Sequence, residues 1–430
     1  MEELGIPGVA IGIVHGDQEF TVGLGVTSVE NPLEVTPDTV FQIGSTTKTY
    51  TGTMMTMLDE QGVLSLDDRV RKHLPEFKLQ DESVASEITV RQLLNHSGGW
   101  AGDLFVHTGD GDDALAKYVE KVAEQDQLTP LGETFHYNNS AFGVAGRVVE
   151  VVTGKTFEDA CTEMILQPLG ATKSSFFPVD AMVERFAAGH YTDAEGNVKV
   201  GRPWAFARSV APIGRINSTV VEQLAYAKAQ MNPGMFSAEL IARMQTPDFP
   251  ASNGERMGIS WFTLETSAGL LVRHGGATNG HMSSFWMVPN QKFACTTLTN
   301  HEKGGTLNLE LTKWIKERFL GIEAPELETV RLDDSDLADY TATYRGPAFG
   351  AKVEMTALDG GLMRQYIPGD VGDITVTPPP PPPPAWCRFI GSDLAEISEG
   401  DGKGVRLEFL RGPNGEVVWM RSGGRIFRKL

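Results

Sequence analysis

The sequence predicts an α+β fold with an α-rich lobe, followed by a small all-β domain. Three observations support this. The chain has 430 residues, which is too long for one ordinary hydrophobic core. Its predicted elements run as a hairpin, a block of helices, a set of antiparallel strands and a final helix, whereas alternating strands and helices would predict a parallel sheet. After Gly321 the pattern changes to short β-like runs separated by glycine, proline and aspartate.

The first elements are a β-hairpin and a buried helix. Residues 8–15 and 18–26 are apolar, β-rich runs on either side of a polar turn, which is the pattern of two paired strands. From Ser45 to Gly62 the apolar residues have helical spacing and the run ends at a glycine, a residue that often ends helices. The spacing predicts a buried helix whose first turn holds Ser45.

A helical block follows, and we assign it to a lobe over about residues 67–210. Four segments have helical spacing: Thr89 to Asn95, Asp112 to Glu124, Ser140 to Thr153 and Thr156 to Leu166. Residues 211–232 predict one further helix. Four β-like runs then predict an antiparallel sheet: Gly258 to Leu264, Leu270 to His274, Ser283 to Val288 and Phe293 to Thr299. A last helix is predicted from Asn308 to Phe319, and the whole domain covers residues 1–325.

The second domain is predicted over residues 330–430, after a linker at Ile322 to Glu328 that carries a proline and three glutamates. Its short β-like runs suit a small barrel or sandwich. Seven consecutive prolines, Pro378 to Pro384, must form a polyproline II segment at the surface. We interpret them as a stiff loop between strands, with a docking site for an SH3-type partner as the alternative.

The composition bears on partners and compartment. The net charge is −19, and no basic patch that would bind nucleic acid stands out in the sequence. No apolar run reaches the roughly 18 to 20 residues of a membrane helix. Cys161, Cys295 and Cys387 lack metal-ligand spacing, so we interpret them as isolated, mostly buried thiols, with one distant disulfide as the alternative. The first residues do not form a signal peptide, which predicts a cytoplasmic protein, or a periplasmic or secreted one if a leader was trimmed. A homo-oligomer is left open.

Ser45-Thr46-Thr47-Lys48 is the first of three short motifs that bear on chemistry. At the start of a helix, a serine and a lysine three residues apart lie on one face. Serine is a weak nucleophile until a base takes its proton, and a buried lysine with a lowered pKa can serve as that base. Alone, the motif is equally explained by an N-capping serine beside a solvated lysine.

The other two motifs lie far along the chain. Tyr137-Asn138-Asn139 offers a phenol for proton transfer and an amide that can donate to a substrate carbonyl. A polar entry to the next helix, capped by Asn139 or Ser140, would have the same sequence. His274-Gly275-Gly276 ends a predicted strand, where glycines let a substrate backbone approach the strand edge. Ala277 follows with a free backbone N–H, although a plain strand end and turn would look alike.

Together the three motifs have the order and rough spacing of the penicillin-recognising serine hydrolases, and the chain resembles that β-lactamase-like family. The family includes class C β-lactamases, D-alanyl-D-alanine carboxypeptidases, D-aminopeptidases and related esterases. Residues 41–48 resemble its nucleophile segment and residues 89–99 its helix-to-loop element. The resemblance covers roughly residues 5–320 and implies a β-lactamase-like catalytic domain. The C-terminal domain, in which Leu337 to Tyr344 looks like a first strand, is similar to the lipocalin-like barrel appended to some D-aminopeptidase-type members.

The resemblance also implies the catalytic roles. Ser45 would attack a carbonyl and form an acyl-enzyme, while Lys48 and Tyr137 would move the proton, with the choice of base left open. The backbone N–H groups of Ser45 and Ala277 would form the oxyanion hole, a placement that suits a helix N-terminus with unpaired donors. No metal and no cofactor are implied.

Substrate contacts are implied for Asn139, His274 and Gly276. Asn139 would orient the acyl side, and His274 would contact a substrate carboxylate or polarise the region of Tyr137. Many family members have Lys-Thr-Gly where this chain has His274-Gly275-Gly276. The His-x-Gly form is familiar among D-peptidases, D-aminopeptidases and some esterases, and it makes an efficient β-lactamase a poorer fit.

We therefore expect a serine hydrolase of the D-aminopeptidase or D-peptidase type, acting on amide or peptide bonds of a small molecule or short peptide. A carboxylesterase of the same fold is the first alternative. A weak β-lactamase, or a penicillin-binding sensor that is acylated without turnover, is the second. A scaffold acting through the proline run is disfavoured because it has no use for the full set of motif residues. The α/β-hydrolase fold is discarded because the sequence lacks its Gly-x-Ser-x-Gly elbow.

Overall fold

The computed structural model describes residues 1–323, 327–347, 350–369, 381–399 and 402–430. Within these ranges the strands before residue 300 are β1 (Gly8–His15), β2 (Gln18–Gly25), β3 (Phe41–Gln42), β4 (His190–Thr192), β5 (Val198–Val200), β6 (Asn217–Ser218), β7 (Phe249–Pro250), β8 (Arg256–Met257), β9 (Phe262–Thr266), β10 (Gly269–Ala277), β11 (Met282–Val288) and β12 (Phe293–Thr299). The α-helices are α1 (Thr47–Glu60), α2 (Val70–His73), α3 (Glu82–Glu87), α4 (Val90–Leu94), α5 (Ala114–Val122), α6 (Asn139–Thr153), α7 (Phe157–Cys161), α8 (Gln167–Leu169), α9 (Pro178–Ala181), α10 (Ala211–Gly214), α11 (Val220–Met231), α12 (Ala238–Gln245), α13 (Gly304–Leu320) and α14 (Asp334–Leu337).

The main sheet has the strand order β2-β1-β12-β11-β10-β9-β8-β7 among the described residues, and its paired strands are antiparallel. The expected N-terminal hairpin is β1 and β2, and the expected antiparallel sheet is confirmed. Alternate residues of β11 face opposite sides, because side chains of a strand alternate. Phe285 and Met287 join the large core with α1 and α11, whereas Trp286 packs with Ile315 of α13. Helices therefore cover both faces of the sheet.

Four helices of the predicted lobe, α3, α4, α6 and α7, begin at short polar side chains that cap them. Thr89 and Gln92 form a capping box at the start of α4, which satisfies two backbone N–H groups that a helix otherwise leaves without partners. Asn138 caps α6, and its side chain accepts a hydrogen bond from the N–H of Ala141 at 2.9 Å. The cap of α6 is therefore Asn138, and neither Asn139 nor Ser140, the two candidates that the sequence offered.

The single helix predicted over residues 211–232 is wrong. Helix α10 ends at Gly214, and β6 separates it from α11. The cause is tertiary: Asn217 and Ser218 pair with Gln42 and Phe41 of β3, which keeps this segment extended beside the chain that leads to Ser45.

The C-terminal part is a barrel. Its strands are β13 (Ala342–Arg345), β14 (Lys352–Leu358), β15 (Gly361–Ile367), β16 (Ala385–Gly391), β17 (Leu394–Ile397), β18 (Arg406–Arg411), β19 (Val417–Ser422) and β20 (Arg425–Lys429). Over the described residues they close in sequence order into an antiparallel barrel of eight strands. Buried apolar side chains such as Tyr344, Phe389, Phe409 and Met420 fill the interior, as is usual for a barrel of this size. The predicted barrel is confirmed.

Two details of the barrel differ from expectation or lie outside the described residues. Leu337 to Tyr344 was expected as the first strand, but Leu337 ends α14 and β13 begins only at Ala342. Aspartates in the first turn of α14 favour a helix there, because they complement its N-terminal dipole. Pro381 to Pro384 precede β16 without regular structure, whereas Pro378 to Pro380 and the predicted domain limit at residue 325 lie outside the described residues.

The barrel contacts the larger unit through the turn between β19 and β20. The N–H of Tyr137 donates to the carbonyl of Gly424 at 2.8 Å, and the N–H of Ile426 donates to Nδ1 of His136 at 3.0 Å. Arg421 adds hydrogen bonds to the carbonyls of Phe135 at 3.3 Å and Ala251 at 3.1 Å. The β19–β20 turn is thus fixed to the segment that enters α6. Across the described chain, no helix combines the length and apolarity needed to span a bilayer.

Candidate active site

Ser45 lies in a short 3₁₀ turn, Gly44–Thr46, that runs directly into α1. It was expected in the first turn of the helix itself. Gly44 explains the turn, because its φ of 52° is left-handed and favours glycine. A Cβ at Gly44 would also lie 2.6 Å from the backbone nitrogen of Ala277. Glycine therefore allows the Ser45 turn to pack closely against the end of β10.

Lys48 is fully buried in α1. Its Nζ lies 2.8 Å from Oγ of Ser45 and 2.8 Å from the carbonyl oxygen of Ile213, so the motif spacing did bring amine and hydroxyl together. Burial lowers the pKa of Lys48 well below its ordinary value, the positive charge of Arg425 lowers it further, and Asp103 opposes both. Lowering this pKa favours the neutral amine, which can accept a proton from a hydroxyl.

Tyr137 lies close to this pair, and its side chain is almost entirely buried. Its ring centroid is 5.2 Å from Nζ of Lys48, and the ring stacks on that of His96 with centroids 4.3 Å apart. Burial raises the pKa of Tyr137 to about 12, although the charge of Arg425 and the hydroxyl of Ser45 both lower it. The phenol is therefore protonated at neutral pH. The Ser45 hydroxyl is near enough to affect this pKa.

Asn139 is the first residue of α6 and is buried. Its Nδ2 donates to Oδ1 of Asp103 at 2.5 Å, while its Oδ1 has no hydrogen-bond partner in the described part of the chain. A carboxylate only accepts hydrogen bonds, which fixes the orientation of the amide. The oxygen of Asn139 is therefore a buried acceptor that no donor of the described residues satisfies.

His274 is buried in β10 beside Tyr137 and Phe262, with ring centroids 6.3 Å and 5.6 Å away. Its Nδ1 lies 2.6 Å from the carbonyl oxygen of Gly275, and because a carbonyl only accepts, the proton is on Nδ1. Nε2 has no partner among the described residues. Burial and the charge of Lys48 lower the pKa of His274 to about 3, so the ring is neutral and presents Nε2 as an acceptor.

The end of β10 has one open edge. Strand β9 pairs with β10 only as far as Arg273, while β11 continues to pair with it through Ala277. The N–H of Thr278 donates toward β11, to the carbonyl of His281 at 2.9 Å. Neighbouring residues of a strand direct their N–H groups to opposite sides. The N–H of Ala277 therefore points to the open edge.

Gly276 lets this edge meet the Ser45 turn. A Cβ at Gly276 would lie 2.0 Å from the carbonyl oxygen of Ile43 and 2.7 Å from the backbone nitrogen of Ser45, closer than any side chain tolerates. The absence of that Cβ leaves the N–H of Ser45, in the 3₁₀ turn before α1, beside the open edge that carries the N–H of Ala277. All seven residues expected at the site are thus brought to one region.

Sequence reasoning missed two charged residues of this region. Asp103, in the loop between α4 and α5, and Arg425, at the start of β20, form an ion pair with Nε and Oδ2 3.1 Å apart. The guanidinium carbon of Arg425 lies 4.6 Å from the ring centroid of Tyr137. Neither residue belongs to a motif, and Arg425 comes from the other domain. His136, which precedes Tyr137, is buried and accepts the hydrogen bond from the N–H of Ile426.

A serine against a buried amine, on an antiparallel sheet flanked by helices, defines a serine hydrolase. The comparisons with known families identify which one. The family model described as Beta-lactamase matches residues 1–318, and the chain belongs to the β-lactamase family.

The chain is similar to one curated protein in sequence and to two solved structures in fold. The chain is 30% identical over 357 residues to penicillin-binding protein 4 of Amycolatopsis lactamdurans, across 79% of this chain and 93% of that protein. The solved structure of SurE with D-Leu is 22% identical and covers 100% of this chain and 96% of its own, with a TM-score of 0.76. A D-stereospecific amidohydrolase from Streptomyces sp. is 22% identical and covers 74% of this chain and 95% of its own, with a TM-score of 0.59. At these identities the two structures support the fold alone.

Proposed function

We propose that this protein hydrolyses amide or peptide bonds of short substrates that contain D-amino acids, through an acyl-enzyme on Ser45. The observation that carries the reaction is the 2.8 Å contact between Nζ of Lys48 and Oγ of Ser45. The preference for D-residues draws on two neighbours of the same fold, one solved with D-Leu and one D-stereospecific by name. This is activity of the D-aminopeptidase or D-peptidase type.

In the first step, neutral Lys48 takes the proton from Ser45 as Oγ attacks the substrate carbonyl. We assign the base to Lys48 because its pKa is lowered, whereas a phenol with a pKa of about 12 is protonated at neutral pH. Tyr137 then acts as the acid that, with protonated Lys48, delivers the proton to the leaving amine. A base in contact with the Ser45 hydroxyl and an acid close to that pair suit the two halves of acyl transfer.

The negative charge that develops on the carbonyl oxygen would be held by the N–H groups of Ser45 and Ala277. The first lies in the 3₁₀ turn that leads into α1, and the second points to the open edge of β10. Both are backbone groups in rigid elements, so they need no rearrangement as the charge forms. Loss of one such donor typically costs about 3 kcal/mol of transition-state stabilisation. Water then attacks the acyl carbonyl, Lys48 takes a proton from that water, and Oγ of Ser45 leaves with a proton.

The free oxygen of Asn139 favours amides over esters. Its Oδ1 lacks a partner among the described residues and can accept a hydrogen bond from a substrate N–H, a group that amides have and simple esters lack. Of the two roles expected for His274, contact with a substrate carboxylate is disfavoured, because a neutral ring with an acceptor at Nε2 does not attract an anion. We therefore assign His274 the other expected role, which is to polarise the region of Tyr137.

The test is a substrate panel with Ser45→Ala as the matched control. Both forms are assayed on D-amino-acid amides, on their L-enantiomers and on p-nitrophenyl esters. Intact mass spectrometry then detects the acyl adduct on the protein. We expect turnover of the D-amides, weak turnover of the L-amides, and a transient adduct on Ser45 that Ser45→Ala lacks. Wild-type rates from Ser45→Ala would reject the mechanism. Ester hydrolysis without amide hydrolysis would reject the amide assignment in favour of a carboxylesterase.

A second candidate is a penicillin-binding protein with slow or no turnover. The observation that favours it is the 30% identity to penicillin-binding protein 4 over 93% of that protein. Incubation with a penicillin distinguishes the two functions. A β-lactam adduct on Ser45 that persists for hours, together with inactivity on every D-amide, would support this candidate and contradict the first.

A further inference from the structure

We propose that Arg425 of the barrel is a positioning residue of the catalytic site, which holds the ring of Tyr137 and, through Asp103, the amide of Asn139. The inference rests on the proposed function, because it concerns the same hydroxyl, amine and phenol. It makes the β19–β20 turn a working part of the active site. The barrel would then be needed for the reaction itself and not only for stability.

Two contacts tie the turn to Tyr137. The guanidinium carbon of Arg425 is 4.6 Å from the ring centroid, a distance at which a cation is attracted by the face of an aromatic ring. The neighbouring Gly424 accepts a hydrogen bond from the backbone N–H of Tyr137 at 2.8 Å. The turn thus contacts both the main chain and the ring, and these two contacts restrict where the phenol can point.

Asp103 extends the same control to Asn139. Its Oδ2 and Oδ1 accept hydrogen bonds from Nε and Nη2 of Arg425 at 3.1 Å and 3.3 Å. Its Oδ1 also accepts from Nδ2 of Asn139 at 2.5 Å. A carboxylate held on two sides by a guanidinium is fixed in plane. Asp103 therefore fixes the amide, and with it the direction of the free oxygen that would meet the substrate.

All three nitrogens of the Arg425 guanidinium already donate hydrogen bonds within the protein, which favours a positioning role over substrate binding. Nε and Nη2 are bonded to Asp103, and Nη1 donates to the carbonyl of Gly423 at 3.0 Å. The charge of Arg425 is also balanced by Asp103. A substrate carboxylate would have to compete with a carboxylate that is already in place. The side chain of Arg425 is 33% exposed and could be reached by a substrate. The experiment below therefore includes a result that would indicate substrate binding by Arg425.

The ion pair of Arg425 and Asp103 also affects the pKa of Lys48. The charged or titratable groups around Nζ are His96 after α4, Asp103, Tyr137 before α6, His274 of β10 and Arg425 of β20. Burial holds both histidines neutral by lowering each pKa, and Tyr137 is protonated. Arg425 lowers the pKa of Lys48 and Asp103 raises it. Removal of Arg425 alone leaves Asp103 unbalanced, so the pKa of Lys48 rises and a higher pH is needed to free the amine.

The experiment measures kcat and KM against pH on a D-amino-acid amide for four full-length proteins: wild type, Arg425→Met, Arg425→Lys and the double variant Arg425→Met with Asp103→Asn. We expect Arg425→Met to lose roughly 10- to 100-fold in kcat, the size of effect that small misplacements of catalytic groups produce. Its acid limb should move to higher pH. Arg425→Lys should recover part of kcat, and the double variant should move the acid limb back toward wild type without restoring kcat.

Arg345→Ala is the matched control. Arg345 also joins the barrel to the larger unit, by an exposed contact of 3.8 Å with Asp126, and it is not part of the Tyr137 region, so kcat should be unchanged. A rise in KM confined to substrates with a carboxylate would overturn positioning in favour of substrate binding. Equal losses in Arg425→Met and Arg345→Ala would overturn it in favour of a structural role, as would an unchanged pH profile. Acylation of Ser45 in wild type is measured in the same samples. If wild type is not acylated, the proposed function fails; if it is acylated and the Arg425 variants behave like wild type, only this inference fails.

Discussion

Burial decides the proton chemistry around Ser45, and Lys48 is the residue at which this can be tested. Arginine has a long side chain like lysine but is not deprotonated in proteins, so it could not serve as the proposed base. Lys48→Arg should therefore lower kcat/KM by more than 1,000-fold while the protein stays folded, as judged by circular dichroism.

The pH dependence of the wild type follows from the same residue. The proposed mechanism needs neutral Lys48, so kcat/KM should fall as the pH drops through the pKa of Lys48, which burial places well below its ordinary value. An acid limb near the ordinary lysine pKa of about 10.4 would contradict the assignment of Lys48 as the base.

Gly276 tests the geometry of the oxyanion hole. Gly276→Ala places a methyl group 2.0 Å from the carbonyl of Ile43 and 2.7 Å from the nitrogen of Ser45, so the strand and the turn must separate. We expect a loss of about 100-fold or more in kcat, as for removal of an oxyanion donor, measured on a D-amino-acid amide. Gly305→Ala is the control, since a Cβ at Gly305 meets nothing within 4 Å and should leave kcat unchanged. Equal activity of the two variants would contradict the proposed role of this edge.

At the residue scale, sequence reasoning located the motif residues but not the charges around them. Ser45 and Lys48 share one turn of chain, so their contact follows from helical spacing alone. Asp103 and Arg425 meet only because the barrel packs against the start of α6. No local pattern marks either of them. The same holds for Asn138, whose role as the cap of α6 became evident only from its hydrogen bond to Ala141.

At the scale of elements, α6 carries Asn139 and directly follows Tyr137, so its N-terminus sets the position of both. Asn138 accepts from the N–H of Ala141 and donates to the carbonyl of Trp100 at 3.0 Å. Asn138→Ala should lower the free energy of unfolding by about 1 to 2 kcal/mol, as loss of a helix cap does. It should also lower kcat/KM, because the start of the helix is no longer held against Trp100.

Thr156→Ala is the control for this prediction. Thr156 caps α7 by accepting from the N–H of Asp159 at 3.2 Å, and α7 carries none of the proposed site residues. The variant should lose a similar free energy of unfolding, measured in urea, and keep its activity. If Asn138→Ala also keeps full activity, the cap serves stability alone.

The elements that were predicted correctly are those with strong local patterns. In the hairpin β1–β2 and the strands β10 to β12, apolar residues alternate with polar ones or form continuous runs. Thr89 is a typical N-cap residue and predicts the start of α4. The predicted helix over residues 211–232 failed because pairing of Asn217 and Ser218 with β3 is a contact between distant segments. The predicted strand at Leu337 failed because acidic residues favour a helical turn, α14, before the barrel begins.

At the scale of the whole molecule, Arg421 holds the barrel to the larger unit. Its side chain is 10% exposed, forms an ion pair with Glu408 at 2.7 Å, and donates to the carbonyls of Phe135 and Ala251. Arg421→Ala leaves Glu408 and both carbonyls without these donors, which typically costs about 3 kcal/mol or more. Calorimetry should then show the barrel unfolding at a lower temperature than the larger unit, in a transition separate from it.

The exposed interdomain pair provides the comparison. Arg345→Ala removes a contact of 3.8 Å between side chains that are 47% and 58% exposed, and such surface pairs are worth about 1 kcal/mol or less. Its calorimetric trace should match that of wild type. A trace for Arg421→Ala that is indistinguishable from that of Arg345→Ala would show that Arg421 does not hold the two units together.

The inferred role of Arg425 would tie activity to the order in which the chain is synthesised, because Arg425 lies near the end of the sequence. The residues that build the sheet and helices, Ser45 among them, leave the ribosome long before the β19–β20 turn is made. If Arg425 orders the phenol as inferred, a growing chain can fold its larger unit early and still lack a finished cleft. Proteolytic removal of β20 should have the same consequence, because a clipped protein would keep its nucleophile and yet lose the residue that aligns its acid.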